Sequence, residues 1–183
     1  MRKSVTLFMA AAFCSAMLCS AGCGTHVSRP SGSPQPSKVR FSEFTAVEMK
    51  HLEIADEYAS SGANQKAARK IDEELFDKMR LVFPGLRDAQ GRSDGRTLLI
   101  EPYVKQIKFI GGAARFWVGA WAGSSAVLMK VTYTDTSTGE VLVETEFYRA
   151  ANAMGGAYSM GATDNQMLEA VAQDIANYSL ANR

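Results

Sequence analysis

Residues 125–149 read SAVLMKVTYTDTSTGEVLVETEFYR, and their pattern is that of a β-hairpin. Apolar and polar side chains alternate on both sides of the central DTSTG, which indicates two strands that each bury one face. The five residues from Asp135 to Gly139 have the chemistry of a tight turn, because aspartate suits the entrance and glycine can take a positive φ. We predict that Asp135 and Gly139 form a structural turn without a catalytic role.

The segments on either side of the hairpin predict a third strand and two long helices. Residues 97–109 form a strand region that Pro102 interrupts. The proline predicts either that this strand lies at an edge of the sheet or that it contains a β-bulge at Pro102. Apolar residues recur every three or four positions between about Asn64 and Val82, and again after the capping box Thr163-Asp164-Asn165-Gln166. The acidic residues of the first helix are expected on its solvated side: Asp72, Glu73, Glu74 and Asp77.

The chain before the first long helix predicts one short strand and one short helix. Val39 to Phe44 alternates as a strand does, and Thr45-Ala46-Val47-Glu48 has the form of a second capping box. The helix that it opens carries Met49, Leu52, Ala55 and Ala59 at helical spacing. The order β-α-β-β-β-α predicts an α+β domain over residues 38–183, with a small, mostly antiparallel sheet covered by helices.

Length and composition agree with one globular domain. The chain has 183 residues, of which 46% are hydrophobic and 21% are charged, with a net charge of +1. These values exclude a chain that is disordered throughout, and they provide no basic field for nucleic acid. We therefore expect no nucleic-acid partner.

The N-terminus predicts export and a lipid anchor. A positive start, Arg2-Lys3, precedes an apolar stretch from Val5 to Leu18, which is too short for a comfortable membrane span. Ser20-Ala21-Gly22-Cys23 then fits a bacterial lipobox at the two small positions, although leucine is usual where Ser20 stands. We interpret residues 1–22 as a lipoprotein signal peptide and Cys23 as the lipidated (palmitoylated) residue. Simple secretion after Gly22 and an uncleaved anchor are the alternatives.

Residues 23–37 are predicted to be the lipidated cysteine followed by a flexible tether. Gly24 to Ser37 contains three prolines and almost no residue to bury, and His26 in such a segment is incidental. Cleavage before Cys23 leaves one cysteine, which excludes an internal disulfide. Gly24, in place of an aspartate that would retain the protein in the inner membrane, favours the outer membrane with the domain in the periplasm.

One segment suggests a binding role. Residues 109–123 hold both tryptophans, Trp117 and Trp121, together with Arg115 and four glycines. A transmembrane helix running on to Met129 is disfavoured by Arg115 and by the alternation that follows, and no phosphate-loop spacing is present. The remaining interpretation is an irregular crossing whose aromatics pack on the core or contact a partner. Arg115, Trp117 and Trp121 are the candidate partner surface.

These residues also carry a resemblance to a family. The pattern is RFWVGAWAGS (residues 115–124), a strand, DTSTGE (135–140) and a return strand, preceded by Ile100-Glu101-Pro102. It is similar to domain-of-unknown-function family 4410 of bacterial envelope lipoproteins, with the strongest match from about Leu98 to Gly156. The resemblance implies an envelope lipoprotein, and the family has no established activity to carry over.

Catalytic residues are sparse in the sequence. His51 is the domain's one histidine, and it lies between charged residues where solvent exposure is expected, with Ser42 or Asp56 as conceivable partners. A nucleophile with its base, or a metal site, needs more such residues. The strand acids are expected to face solvent: Glu101, Asp135, Glu144 and Glu146.

We therefore expect no enzyme, no cofactor and no metal. The predicted function is a lipid-anchored, non-catalytic module of the bacterial cell envelope that acts through contact with another envelope protein. The alternative is a periplasmic carrier of a small apolar ligand or lipid.

Overall fold

The computed structural model describes residues 26–30, 32–89, 96–110, 124–151 and 162–183. It contains six strands, three α-helices and one 3₁₀ turn at Phe41–Glu43. The strands are β1 (Ala46–Met49), β2 (Glu53–Ile54), β3 (Arg87–Asp88), β4 (Thr97–Lys108), β5 (Ala126–Asp135) and β6 (Glu140–Ala150). The helices are α1 (Asp56–Ala59), α2 (Gly62–Val82) and α3 (Ala162–Ala181).

The six strands form one mixed sheet. Its order is β3-β1-β4-β5-β6, and the short β2 also pairs with β4. The long strands β4, β5 and β6 are antiparallel, whereas β1 and β2 join β4 in parallel and β3 joins β1 in parallel. The α+β class is thus confirmed. The antiparallel character comes from the long strands, and the parallel pairings are confined to segments of two to four residues.

The core lies between one face of the sheet and the helices α2 and α3. The predicted stripe of α2 is buried, with Ile71, Leu75 and Met79 fully enclosed, and Ser61 caps the helix by accepting a hydrogen bond from the Asn64 backbone N–H. The sheet contributes alternate residues such as Val131. Burial on one side of a strand is what a period of two requires, and no helix of the described residues covers the other face of the sheet.

The N-terminal part of the domain differs from the sequence prediction. Val39 to Phe44 is not a strand, because Phe41–Glu43 is a 3₁₀ turn whose first N–H donates to the carbonyl of Asn182. The capping-box helix is also wrong: Ala46–Met49 is strand β1, and the Thr45 hydroxyl donates to the Arg96 carbonyl. Pairing with β4, fifty residues away, outweighs the local preference. Only the single turn α1 remains helical in this region.

Pro102 lies in a central strand rather than at an edge. The carbonyls of Ile100 and Val104 accept from Lys50 and Ala55, and residues two apart point their backbone groups to the same side. The nitrogen of Pro102 therefore faces the break between β1 and β2, where no ladder bond is required of it. The bulge in β4 lies between Val104 and Gln106 instead.

The hairpin contains a register shift that places Val141 on the solvent side. Tyr133 pairs with Val143 and Thr134 pairs with Val141, so that Leu142 is the extra residue of β6. Leu142 is buried and Val141 is 47% exposed. A bulge of this kind changes which face the residues before it occupy.

Candidate functional site: the strap groove and the His51 cluster

Several predicted site residues lie outside the described part of the chain. These are Cys23 and the candidate partner surface Arg115, Trp117 and Trp121. The described neighbours of the tryptophan segment are the end of β4 and the start of β5, which lie side by side because Lys108 pairs with Ala126. The roles predicted for these four residues stay predictions.

Asp135 is buried in the hairpin turn. Its Oδ1 accepts from the backbone N–H and the hydroxyl of Ser137, at 2.9 and 2.6 Å, and its Oδ2 accepts from Arg96 Nε at 2.9 Å. The Ser137 hydrogen bonds and then the Arg96 guanidinium lower the pKa of Asp135. The expectation that this strand acid faces solvent is wrong, because a buried carboxylate with these donors organises the turn. Gly139 follows with φ of 73°, in the left-handed region.

His51 forms a cluster with two carboxylates. Its Nδ1 lies 2.7 Å from Asp72 Oδ2 and its Nε2 lies 3.2 Å from Asp88 Oδ2, while 66% of its side chain is exposed. The hydrogen bond to Asp72 is the main cause that raises the pKa of His51. Ser42 is not its partner, because the Ser42 hydroxyl donates to the carbonyl of Arg183.

Asp72 has a structural task that the sequence does not indicate. Besides His51, it accepts from the backbone N–H of Leu52 at 2.8 Å, and only 20% of its side chain is exposed. It therefore ties helix α2 to the chain between β1 and β2, rather than lying on a solvated face. Each ring nitrogen of His51 lies against a carboxylate oxygen. This arrangement favours the protonated imidazolium and leaves neither nitrogen directed at a nucleophile.

The uncovered face of the sheet carries cross-strand ion pairs. Lys50 lies 2.6 Å from Glu101 and Lys130 lies 3.0 Å from Glu144. Lys50, Glu101 and Lys130 line a concavity of about 250 Å³, together with Tyr103. Partly exposed pairs of this kind contribute little stability each. The paired lysine and glutamate side chains neutralise each other's charge, and this face therefore has the character of a solvated surface.

The segment predicted as a flexible tether contacts the domain over its described part. We call residues 26–30 and 32–38 the strap. Val27 is 5% exposed and packs with Ala126 and Leu128 at the start of β5. A single apolar residue in a polar stretch gives little indication of this contact in the sequence. The backbone N–H of Ser28 donates to Gln106 Oε1 at 2.7 Å.

The strap follows the length of β6. Arg29 lies over the ring of Tyr148 near the end of β6, and at the other end Lys38 approaches Glu140, the first residue of that strand. Between these points, the backbone N–H of Ser37 donates to Asn182 Oδ1 at 2.7 Å. The strap therefore lies beside the outer strand of the sheet without joining it in the described pairings.

A groove of about 520 Å³ separates the strap from the sheet, and we call it the strap groove. One wall is the strap, with Pro30 and Pro34. The other wall is β6 and α3, with Phe147, Tyr148 and Tyr178. Because proline has no N–H, the strap is poorly suited to pair with β6 as a further strand.

The outward backbone groups of β6 have no hydrogen-bond partner along this groove in the described part of the chain. The N–H of Ala151 donates to Ser125 beside β5, so odd-numbered residues point their backbone groups inward and even-numbered residues point theirs outward. The outward set is Glu144, Glu146, Tyr148 and Ala150. Within the described ranges, no hydrogen bond reaches the N–H or C=O of these four residues.

The described residues contain neither a metal-binding cluster nor a membrane-spanning helix. No group of three or more His, Cys, Asp or Glu side chains in those residues is placed to hold a metal ion. No helix among them combines the length and apolar character needed to span a bilayer.

Comparison with known proteins identifies the fold. No family model matches the sequence, and a search of curated proteins finds no match. Among solved structures, a Xanthomonas campestris protein of family DUF330 is 9% identical with a TM-score of 0.51, over 81% of this chain and 94% of that one. The PelC dodecamer of Paraburkholderia phytofirmans is 13% identical with a TM-score of 0.48, over 82% and 95%. Lipoprotein GNA1162 of Neisseria meningitidis is 13% identical with a TM-score of 0.28, over 72% and 99%. This chain shares the fold of the Xanthomonas protein, and the resemblance to family 4410 stays a prediction.

Proposed function

We propose that this chain is a lipid-anchored protein of the bacterial cell envelope whose domain acts by binding a segment of another envelope protein. The observation that carries the proposal is the strap groove, where the outward backbone groups of β6 have no partner among the described residues and aromatic side chains lie alongside. An extended polypeptide can satisfy such an edge by adding a strand to the sheet. The aromatic side chains of Phe147, Tyr148 and Tyr178 then provide contact area.

The groove supports a polypeptide better than it supports the alternative, a carrier of an apolar ligand. Its lining includes Arg29, Glu146, Arg149 and Asp174. Arg149 pairs with Asp174 and Glu146 pairs with Lys105, but these pairs are partly exposed to water. Covering them and Arg29 with an apolar ligand would remove charged groups from water, which costs free energy even for paired charges. A polypeptide backbone instead supplies donors and acceptors.

The absence of catalysis is part of the proposal, and the geometry of His51 supports it. A general base needs a ring nitrogen within reach of the proton that it takes. Both nitrogens of His51 already lie on Asp72 and Asp88. We assign this cluster to the positioning of α2 against the β1–β2 connection.

The anchor in this proposal is a lipid on Cys23, in the outer membrane with the domain in the periplasm, and the resemblance to the envelope lipoproteins of family 4410 agrees with an anchored protein. The support is the apolar stretch that ends in Ser20-Ala21-Gly22-Cys23. Replacement of Cys23 by serine is expected to abolish the incorporation of labelled palmitate. Label that persists in Cys23→Ser would contradict the anchor.

Photo-crosslinking tests the groove. Benzoylphenylalanine replaces Ser33, an exposed residue of the strap wall, in growing cells. We expect one discrete crosslinked product that disappears in Glu146→Pro, because proline removes the outward N–H of β6 and leaves the ladder with β5 intact. Glu146→Ala is the matched control, since it removes the same side chain and keeps the N–H. A product that survives Glu146→Pro, or one that Glu146→Ala also removes, would refute strand addition.

The predicted surface at Arg115, Trp117 and Trp121 is a separate proposal for the same kind of partner. If one indole takes part, iodide quenches part of the native tryptophan fluorescence. Complete protection of both indoles would place them in the core and refute the proposed role.

A further inference from the structure

We propose that the strap fixes the orientation of the domain on its membrane, with the end of the sheet formed by Lys108, Ala126 and Ala150 facing the lipid headgroups. This inference rests on the proposed lipid on Cys23. It adds a surface and its partner, which is the headgroup layer of the bilayer that holds the anchor.

The first argument is the length of chain between the anchor and the contact. Four residue steps separate Cys23 from Val27. A fully extended chain spans at most about 3.6 Å per residue, so the two Cα atoms lie within about 14 Å of each other. Since Val27 is buried against Ala126 and Leu128, the start of β5 is held close to the bilayer. A free tether of fifteen residues would impose no such limit.

The second argument is the direction of the strands. From Ala126, strand β5 runs for ten residues to Asp135, where the hairpin turn begins. At about 3.3 Å per residue this is roughly 30 Å. The turn therefore lies far from the anchored end.

The third argument is the charge beside the contact. Arg29 stacks on Tyr148, and Lys108 pairs through its backbone with Ala126. Neither cation forms an ion pair with a carboxylate in the described part of the chain. Cations next to a lipid anchor are attracted by anionic headgroups, so the charges of Arg29 and Lys108 are compatible with a membrane-facing position of this end.

Two labelling positions at opposite ends of the sheet allow a direct test. Ser124 lies beside the start of β5, and Thr138 is an exposed residue of the hairpin turn. The lipidated chain carries a fluorophore on Ser124→Cys or on Thr138→Cys, in phosphatidylethanolamine–phosphatidylglycerol vesicles with spin-labelled headgroups. We expect headgroup quenching to be several-fold stronger at position 124 than at position 138.

A longer tether separates the strap from other causes. Insertion of ten Gly/Ser residues after Thr25 leaves every described contact of Val27 available but moves the contact away from the anchor, so quenching at position 124 is expected to fall. Val27→Asp is expected to remove the difference between the two positions, while Val27→Leu keeps it.

The outcomes separate the two proposals. Equal quenching at positions 124 and 138 in the lipidated chain, or a difference that both the insertion and Val27→Asp leave unchanged, would overturn the orientation while the anchor stands. A chain without palmitate on Cys23 would overturn the anchor, and the orientation with it.

Discussion

Removal of the Asp135 carboxylate is expected to destabilise the domain through the hairpin turn. Asp135 accepts two hydrogen bonds from Ser137 and one from Arg96, and it is 3% exposed. A hydrogen bond to a charged group contributes about 1.5–3 kcal/mol. The two Ser137 bonds share one oxygen and do not add in full, and the Arg96 side chain is 40% exposed, which limits its ion pair to about 0–1 kcal/mol.

Asp135→Ala is therefore expected to lower the free energy of unfolding by about 2–3 kcal/mol. In a domain of this size, each kcal/mol lowers Tm by about 2–4 °C, so the expected fall is about 4–12 °C. Thermal and urea unfolding, followed by circular dichroism, measure both quantities. Asp135→Asn is the matched variant: it keeps an acceptor for Ser137 and loses the charge that attracts Arg96, so its expected cost is about 1–2 kcal/mol.

The pH dependence distinguishes the charge from the shape of the side chain. The pKa of Asp135 is lower in the folded state than in the unfolded state, so its ionisation stabilises the fold above its ordinary pKa of about 4. That contribution is lost as the pH falls through the folded pKa. The stability gap between the native chain and Asp135→Asn should therefore be present at about pH 7 and narrow at acid pH, as the pH falls through the lowered folded-state pKa. An Asp135→Ala variant with native Tm, or a gap that is the same at neutral and acid pH, would refute this reasoning.

Three further predictions follow from single contacts. Gly139→Val is expected to cost roughly 1–2 kcal/mol, because φ is 73° and open space around the added Cβ leaves backbone strain as the cause; Gly139→Asn should cost less, and equal Tm values would contradict this. NMR titration should give His51 a pKa above its ordinary value, and Asp72→Asn should move this pKa back towards that value. Because the pKa is raised, the stabilisation from protonated His51 is complete below about pH 6.5 and is lost as the pH rises through the pKa of the folded state. A titration that Asp72→Asn leaves unchanged would exclude Asp72 as the cause. Tyr133→Phe is expected to cost about 1–2 kcal/mol, because its hydroxyl meets the buried Ser179 hydroxyl at 2.8 Å; the double variant with Ser179→Ala should cost less than the sum of the two single variants, and full additivity would show that the pair is not coupled.

The elements that the sequence predicts correctly are those whose signals are local. The β5–β6 hairpin follows from alternation around a turn, and α2 follows from apolar residues at helical spacing, with both patterns complete within about 25 residues. Strand β4 follows for the same reason. The lipid anchor and the family resemblance also come from the sequence, and both stay proposals.

The features that the sequence does not predict depend on residues that are distant along the chain. Strand β1 exists because Ala46–Met49 pairs with β4, and the local capping-box pattern is overruled by that pairing. The His51 cluster joins positions 21 and 37 residues apart, and no local pattern indicates that Asp72 leaves the solvated face of its helix.

The strap groove shows most clearly the difference between what local sequence predicts and what contacts between distant segments decide. Proline content indicates an irregular segment, and the described residues 30 and 32–36 form no regular element, but composition cannot tell whether such a segment lies free or against a surface. That depends on the burial of Val27 on β5 and on the unpaired edge of β6, which are created only when the sheet has formed. The amino-acid sequence alone determined the hairpin and the long helices, and it alone predicts the signal peptide and the lipid anchor, because neighbouring residues carry those signals. The tertiary structure alone decided where the strap lies and which strand edge stays open, because both depend on contacts between segments that are far apart in the chain.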